Sequence, residues 1–238
     1  MYKVNSPYVD EKSFFMYPGW KQNSHGFRGD AYDSSKKNIL IAGCSIHFCY
    51  ALGDEYIFPN LLVDKLGGDY GYLNVSMPGI GIDAQLKNIT WALSNFKFDK
   101  LIWLMPPTDR SLYYHETEGM LAFLPGAPEP FPHKWFSSVK GRAWVDARIA
   151  NDHDATCKIA DHTETLFLLL NALKIDSYVR SWGEDYDGGI LGKLREKFNI
   201  KTLPHFRGPD KAADNIHHGI ISHKSYADEL YKLLTKTS

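Results

Sequence analysis

From Asn38 onward the chain alternates short apolar runs with longer amphipathic stretches. ILIAG (39–43) is continuous and β-branched, which predicts a strand buried on both faces. YLNVS (72–76), KLIWLM (100–105), DSYVRSW (176–182) and IKTLP (200–204) read as further strands. Between them the spacing turns helical. Phe58, Leu61, Leu62, Lys65 and Leu66 recur at helical intervals and Gly67-Gly68 supplies the stop. Ile82, Leu86, Ile89 and Leu93 mark a helix over 83–96. Residues 162–174 predict another, with Thr163 as cap and Glu164 in the first turn. Helices over 188–198 and 223–236 complete the series.

Strand–helix–strand–helix–strand within about seventy residues implies right-handed crossovers and a parallel sheet. The expected fold is α/β: a three-layer, doubly wound sheet of about five strands, flavodoxin-like, with residues 1–238 as one domain. Two segments break the rhythm. Residues 1–38 are polar and turn-rich and read as an irregular N-terminal arm. Residues 110–160 hold GMLAFLPGAPEPFPHKWF and read as a loop-rich insertion, of the kind that serves as a lid or binding surface.

Composition narrows the function. With 27 Lys plus Arg against 28 Asp plus Glu in 238 residues, no general basic field is available for nucleic acid. A hydrophobic fraction of 44% supports a real core and excludes wholesale disorder. Three Cys rule out a disulfide-stapled scaffold. No run approaches the ~20 apolar residues of a membrane helix, and the N-terminus lacks the apolar stretch of a signal peptide. A soluble, cytoplasmic protein with no membrane partner is expected, with leaderless export left open.

In an open parallel sheet, ligands sit beyond the carboxyl ends of the strands. Gly43-Cys44-Ser45 follows the first strand, and a glycine turn containing Pro78-Gly79 follows the second. Pro106-Pro107-Thr108-Asp109-Arg110 follows the third, and Asp214-x-x-His217 precedes the last helix. These types suit acyl transfer. A serine hydroxyl needs an imidazole to take its proton, and the imidazole needs a carboxylate to fix its tautomer. Backbone N–H groups at Ser45 and Gly79 are suited to an oxyanion.

The run ILIAGCSIHFCYALGDEYIFPNLLVDKLGGDYGYLNVSMPGIGIDAQL resembles the opening of the SGNH (GDSL-type) hydrolases. The closing DNIHHGIISHKSYADEL resembles their D-x-x-H segment, and NSHGFRG resembles an arm ahead of the nucleophile strand in some members. The resemblance covers about residues 23–110 and 205–235. It implies Ser45 as nucleophile and first oxyanion donor, Gly79 as second donor, and His217 as general base oriented by Asp214. Two positions depart from the pattern. Cys44 replaces the acid of Gly-Asp-Ser, and Thr108 stands where an oxyanion-hole Asn is usual. Losing one such donor outright costs about 2.7–4 kcal/mol of transition-state stabilisation.

The expected activity is therefore a serine esterase or deacylase acting on a small-molecule or carbohydrate ester, an O-acetyl group being the favoured case. No cofactor is expected. Arg110, Tyr113 and Trp135 are substrate-binding candidates from the insertion. Each residue also has a plainer role. Ser45 fits a helix N-cap, Gly79 a positive-φ turn, Cys44 and Cys49 buried inert thiols, and the insertion's aromatics mere lid packing. Arg28 reads as solvated or paired with surface acids, a substrate-carboxylate role being a guess. His217-His218 suggests a metal pair, but adjacent residues rarely face one ligand, so no metal is expected. A lapsed binding or assembly module and an acyltransferase using the same serine are the competing functions. A flavodoxin-like nucleotide binder lacks a Gly-rich phosphate loop after the first strand.

Overall fold

A computed structural model of the chain describes residues 21–106, 111–115, 119–123, 140, 142–143, 146, 152–182 and 189–236. The main sheet contains β1 (Lys37–Ala42), β2 (Tyr70–Asn74), β3 (Lys100–Met105), β6 (Asp176–Ser181) and β7 (Lys201–Thr202). Its order is β2-β1-β3-β6-β7, and every pairing is parallel. Helices α1 (Ser45–Phe48), α2 (Phe58–Leu66), α3 (Ile82–Asn95), α4 (Asp152–Ala172) and α5 (Ile190–Phe198) lie in the crossovers, and α6 (Ile220–Thr235) follows the last strand. This is the doubly wound α/β arrangement that the alternating pattern predicts.

The two-residue period of the strands divides the core. Leu40, Ala42, Leu101, Trp103 and Val179 face α3, α4 and α5. Ile39, Ile41, Ile102 and Tyr178 face the layer of α2 and α6. Both faces are covered, which is why these strands read as unbroken apolar runs.

Several boundaries differ from the sequence pattern. β2 begins two residues early, where Lys37 pairs with Tyr70, because Gly71 dilutes the apolar signal. α4 begins at Asp152, so Thr163 is not a cap but a buried residue inside the helix. Its first half was hidden by polar residues that face solvent, Cys157 and Lys158 among them, around the buried Ile159. The stretch read as a long loop contains an antiparallel ribbon, β4 (Ser111–His115) with β5 (Gly119–Phe123). Among the described residues no helix is long and apolar enough to cross a membrane.

Candidate active site

Strand β1 ends at Ala42 and the chain turns at once into α1. The turn needs Gly43, because a Cβ there would meet Cβ of His47 at 2.6 Å. Cys44, not Ser45, occupies the N-cap position, and no side chain caps the helix. Ser45 is the first helical residue and half-buried. Its hydroxyl makes no hydrogen bond among the described residues. The capping explanation of this serine is thereby removed. Cys44 is fully buried, and burial pushes the Cys49 thiol up to about 12, so Cys49 stays a neutral thiol at ordinary pH.

The turn is fixed from beneath. His47 is fully buried, and burial pushes its imidazole down to about 3, so it is neutral at ordinary pH. In that state Nδ1–H donates to the Ala42 carbonyl (2.9 Å) and Nε2 accepts from the Tyr226 hydroxyl (3.2 Å). Asn74, at the end of β2, donates to the His47 carbonyl at 2.8 Å.

The glycine turn lies alongside. The Val75 N–H donates to the Ile41 carbonyl (2.8 Å) and the Met77 N–H to the Gly43 carbonyl (3.2 Å), so the chain after β2 keeps company with the Ser45 turn. Gly79 has φ +73°, the left-handed region where glycine carries no Cβ penalty. The plain role of Gly79 is thus real, and it leaves the residue free to serve as a donor too.

Arg28 has a role that the sequence pattern did not reveal. It is only 2% exposed, and its guanidinium donates to the carbonyls of Phe48 (3.2 Å), Cys49 (2.5 Å) and Leu52. It also pairs with the Asp54 carboxylate at 2.8 Å. Phe48 and Cys49 end α1, where a helix leaves carbonyls unpaired, and Leu52 lies in the loop that follows. Arg28 is therefore paired with an acid, as one plain expectation had it, and is not solvated. The loop that it holds is strained: Cys49 and Ala51 both have φ +64°, a conformation that costs non-glycine residues about 1–2 kcal/mol each. The signal available beforehand was the NSHGFRG arm itself, but the acid nearest its arginine in sequence, Asp30, pairs with Lys21, and Arg28 pairs with Asp54 instead.

The opposite side of the site is the loop before α6. Asp210 reaches forward to accept the N–H groups of Ile221 (2.8 Å) and Ser222 (2.9 Å), capping α6 from a distance. Ala212 N–H donates to the His217 carbonyl (2.9 Å), which closes the loop. Within it, Asp214 Oδ1 accepts the N–H groups of Ile216 and His217, both at 3.0 Å. Asp214 Oδ2 meets His217 Nδ1 at 2.5 Å. Burial raises the Asp214 carboxyl, but these hydrogen bonds, led by the imidazole, outweigh burial and hold it below the usual carboxylate range. The pairing directs Nε2 of His217 away from Asp214. His218 instead packs its ring against Phe206 at 4.9 Å. Among the described residues no group of three or more His, Cys, Asp or Glu could hold a metal ion.

The two sides meet at Tyr50. Its N–H donates to the Ser45 carbonyl at 3.1 Å, and its ring lies 5.0 Å from the His217 ring. No hydrogen bond joins Ser45 to His217 in this structure. Thr108, Arg110 and Trp135 lie outside the described residues, and of Tyr113 only the backbone, in β4, is described.

No family model matches the sequence, and no curated protein matches it. Solved structures do match in shape. TesA superposes with a TM-score of 0.55 at 14% identity, over 85% of this chain and 100% of that one. The psychrotrophic esterase EstA from Pseudoalteromonas sp. gives 0.55 at 15%, over 85% and 98%. A carbohydrate acetylesterase family member from Sinorhizobium meliloti gives 0.50 at 11%, over 84% and 98%. At such identities the likeness establishes the fold, an α/β arrangement like that of the SGNH hydrolases.

Proposed function

We propose that this chain is a serine hydrolase that cleaves small esters, with an O-acetyl group on a carbohydrate as the favoured substrate. The observation that carries the proposal is the Asp214–His217 pair (2.5 Å), set across Tyr50 from a serine whose hydroxyl makes no hydrogen bond among the described residues. Similarity in fold to an esterase and to a carbohydrate acetylesterase family member supports the substrate class.

In this mechanism Asp214 holds the proton on His217 Nδ1, so Nε2 is the free base. Nε2 takes the Ser45 proton as the oxygen attacks the ester carbonyl. The oxyanion is held by the N–H groups of Ser45 and Gly79, with the Thr108 hydroxyl in the place of the usual asparagine. Collapse expels the alcohol, which leaves with the proton from His217, and an acyl group remains on Ser45. Water, deprotonated by the same imidazole, attacks the acyl-enzyme; the carboxylic acid leaves, and the Ser45 oxygen takes the proton back from His217. The Ser45–His217 hydrogen bond absent here closes when substrate binds, as catalytic contacts in unliganded sites often do.

That missing hydrogen bond also favours a second reading, a binding module of the same fold without turnover. Assay of short p-nitrophenyl esters separates the two. Hydrolysis that disappears in Ser45→Ala supports the enzyme, whereas equal rates in parent and variant contradict it. Tight glycan binding with no hydrolysis at all is the result for the binding module.

A further inference from the structure

We propose that Tyr50 is a positioning residue: its ring seats the His217 imidazole against the turn that carries Ser45. This rests on the assignment of Ser45 and His217 above, and goes beyond it in naming what sets their relative placement.

Three observations carry it. First, Tyr50 touches both halves, its N–H on the Ser45 carbonyl (3.1 Å) and its ring tilted at 47° against His217 (5.0 Å). Second, the residues on either side of it, Cys49 and Ala51, are the two that hold left-handed backbone in this loop, both at φ +64°. Strain of this kind persists only where the surroundings over-determine it, and it concentrates at functional sites. Third, the surroundings that over-determine it are identifiable. Arg28 binds the carbonyls of Phe48, Cys49 and Leu52, and lies 5.6 Å over the Phe48 ring. Phe48 in turn lies 6.4 Å from the Tyr50 ring. A buried cation thus fixes a strained loop, and the loop's one ring projects onto the base.

Among the described residues the His217 ring meets Asp214 at Nδ1 and Tyr50 at its face. Asp214 fixes Nδ1, but one hydrogen bond leaves the ring free to rock about that axis. A flat aromatic face removes the rocking. The phenol oxygen makes no hydrogen bond among the described residues, so the ring carries the effect.

The test compares Tyr50→Phe with two ring-free variants, Tyr50→Leu and Tyr50→Met, in the full chain. Hydrolysis of a short p-nitrophenyl ester is expected to fall about 10–100-fold in kcat for both ring-free variants, since small misplacements of catalytic groups cost that much. KM is expected to stay within about threefold, and Tyr50→Phe to keep kcat within about threefold. Alongside, 13C relaxation of the His217 Cε1–H reports imidazole order without needing turnover. It is expected to be rigid in parent and Tyr50→Phe and disordered in Tyr50→Leu and Tyr50→Met. Unchanged kcat and equal imidazole order in the ring-free variants overturn the proposal, as does an equal loss in Tyr50→Phe. If the parent hydrolyses nothing, the esterase reading fails, while the relaxation comparison still decides whether Tyr50 seats the ring.

Discussion

The two halves of the candidate site are built in opposite ways. The Ser45 turn stands on groups withdrawn from water: Arg28 is 2% exposed, His47 is fully buried, and Asn74 is 1% exposed. The Asp214–His217 loop stands at the surface. Ile216, between the two, is 72% exposed, and the loop is held chiefly by its own carboxylates, Asp210 and Asp214. Moving a nucleophile by a fraction of an ångström changes its distance to every donor around it. The base moves protons at one atom, Nε2, and its partner Asp214 sits three residues away in the same loop. A fixed serine served by a locally organised base is therefore a workable division, and Tyr50 is where the two are joined.

The contrast breaks most sharply on the base side. Asp214→Asn keeps the shape but loses the charge that fixes the imidazole tautomer. Ester hydrolysis is expected to fall about 10³–10⁴-fold with little change in melting temperature, as for the equivalent change in a known triad. A loss under about tenfold contradicts the role given to Asp214.

On the nucleophile side the expected damage is to stability. Arg28→Met takes the cation from Asp54, leaving it the Lys21 N–H, and strips three carbonyls of their donor. Removing one partner of a buried ion pair costs about 3–5 kcal/mol, measurable by urea unfolding. A cost near zero places the rigidity of the turn elsewhere.

Acid should expose the same asymmetry. Burial pushes both His47 and His223 from 6.5 down to about 3. Above pH 6.5 both are neutral whether folded or not, and nothing is lost. Below it the unfolded chain binds their protons and the folded chain does not, until pH falls to about 3. Stability should therefore decline by about 1.4 kcal/mol per pH unit for each histidine across that window. His223→Gln should flatten the decline measured by thermal unfolding between pH 7 and pH 4, and an unchanged slope excludes His223 as a source. The smallest effect is expected at the surface cap: Asp210→Ala should cost about 0.5–2 kcal/mol. A cost as large as that of Arg28→Met would erase the distinction between the halves.

Most of the sheet was legible in the sequence because strands covered on both faces must be apolar throughout. ILIAG and KLIWLM could be read with no partner known. What escaped was whatever depended on a partner far away in the chain. Early in α4 the exposed Cys157 and Lys158 surround a single buried Ile159 and make no stripe, and the β4–β5 ribbon is only a pair of short runs until one strand lies beside the other. The same holds for the site. Asp214-x-x-His217 makes its contact within a single turn, so its spacing announced it. Arg28 meets Asp54 across 26 positions, and Tyr50 meets His217 across a far wider gap, so neither left a motif.

The central claim is that Ser45 is a nucleophile activated by His217. The most direct measurement is labelling with a fluorophosphonate, followed by peptide mapping, in the parent and in His217→Ala. The account expects the label on Ser45 in the parent, and labelling slowed by about 10³-fold or more in the variant. A parent that takes no label, or one labelled equally fast without His217, contradicts it.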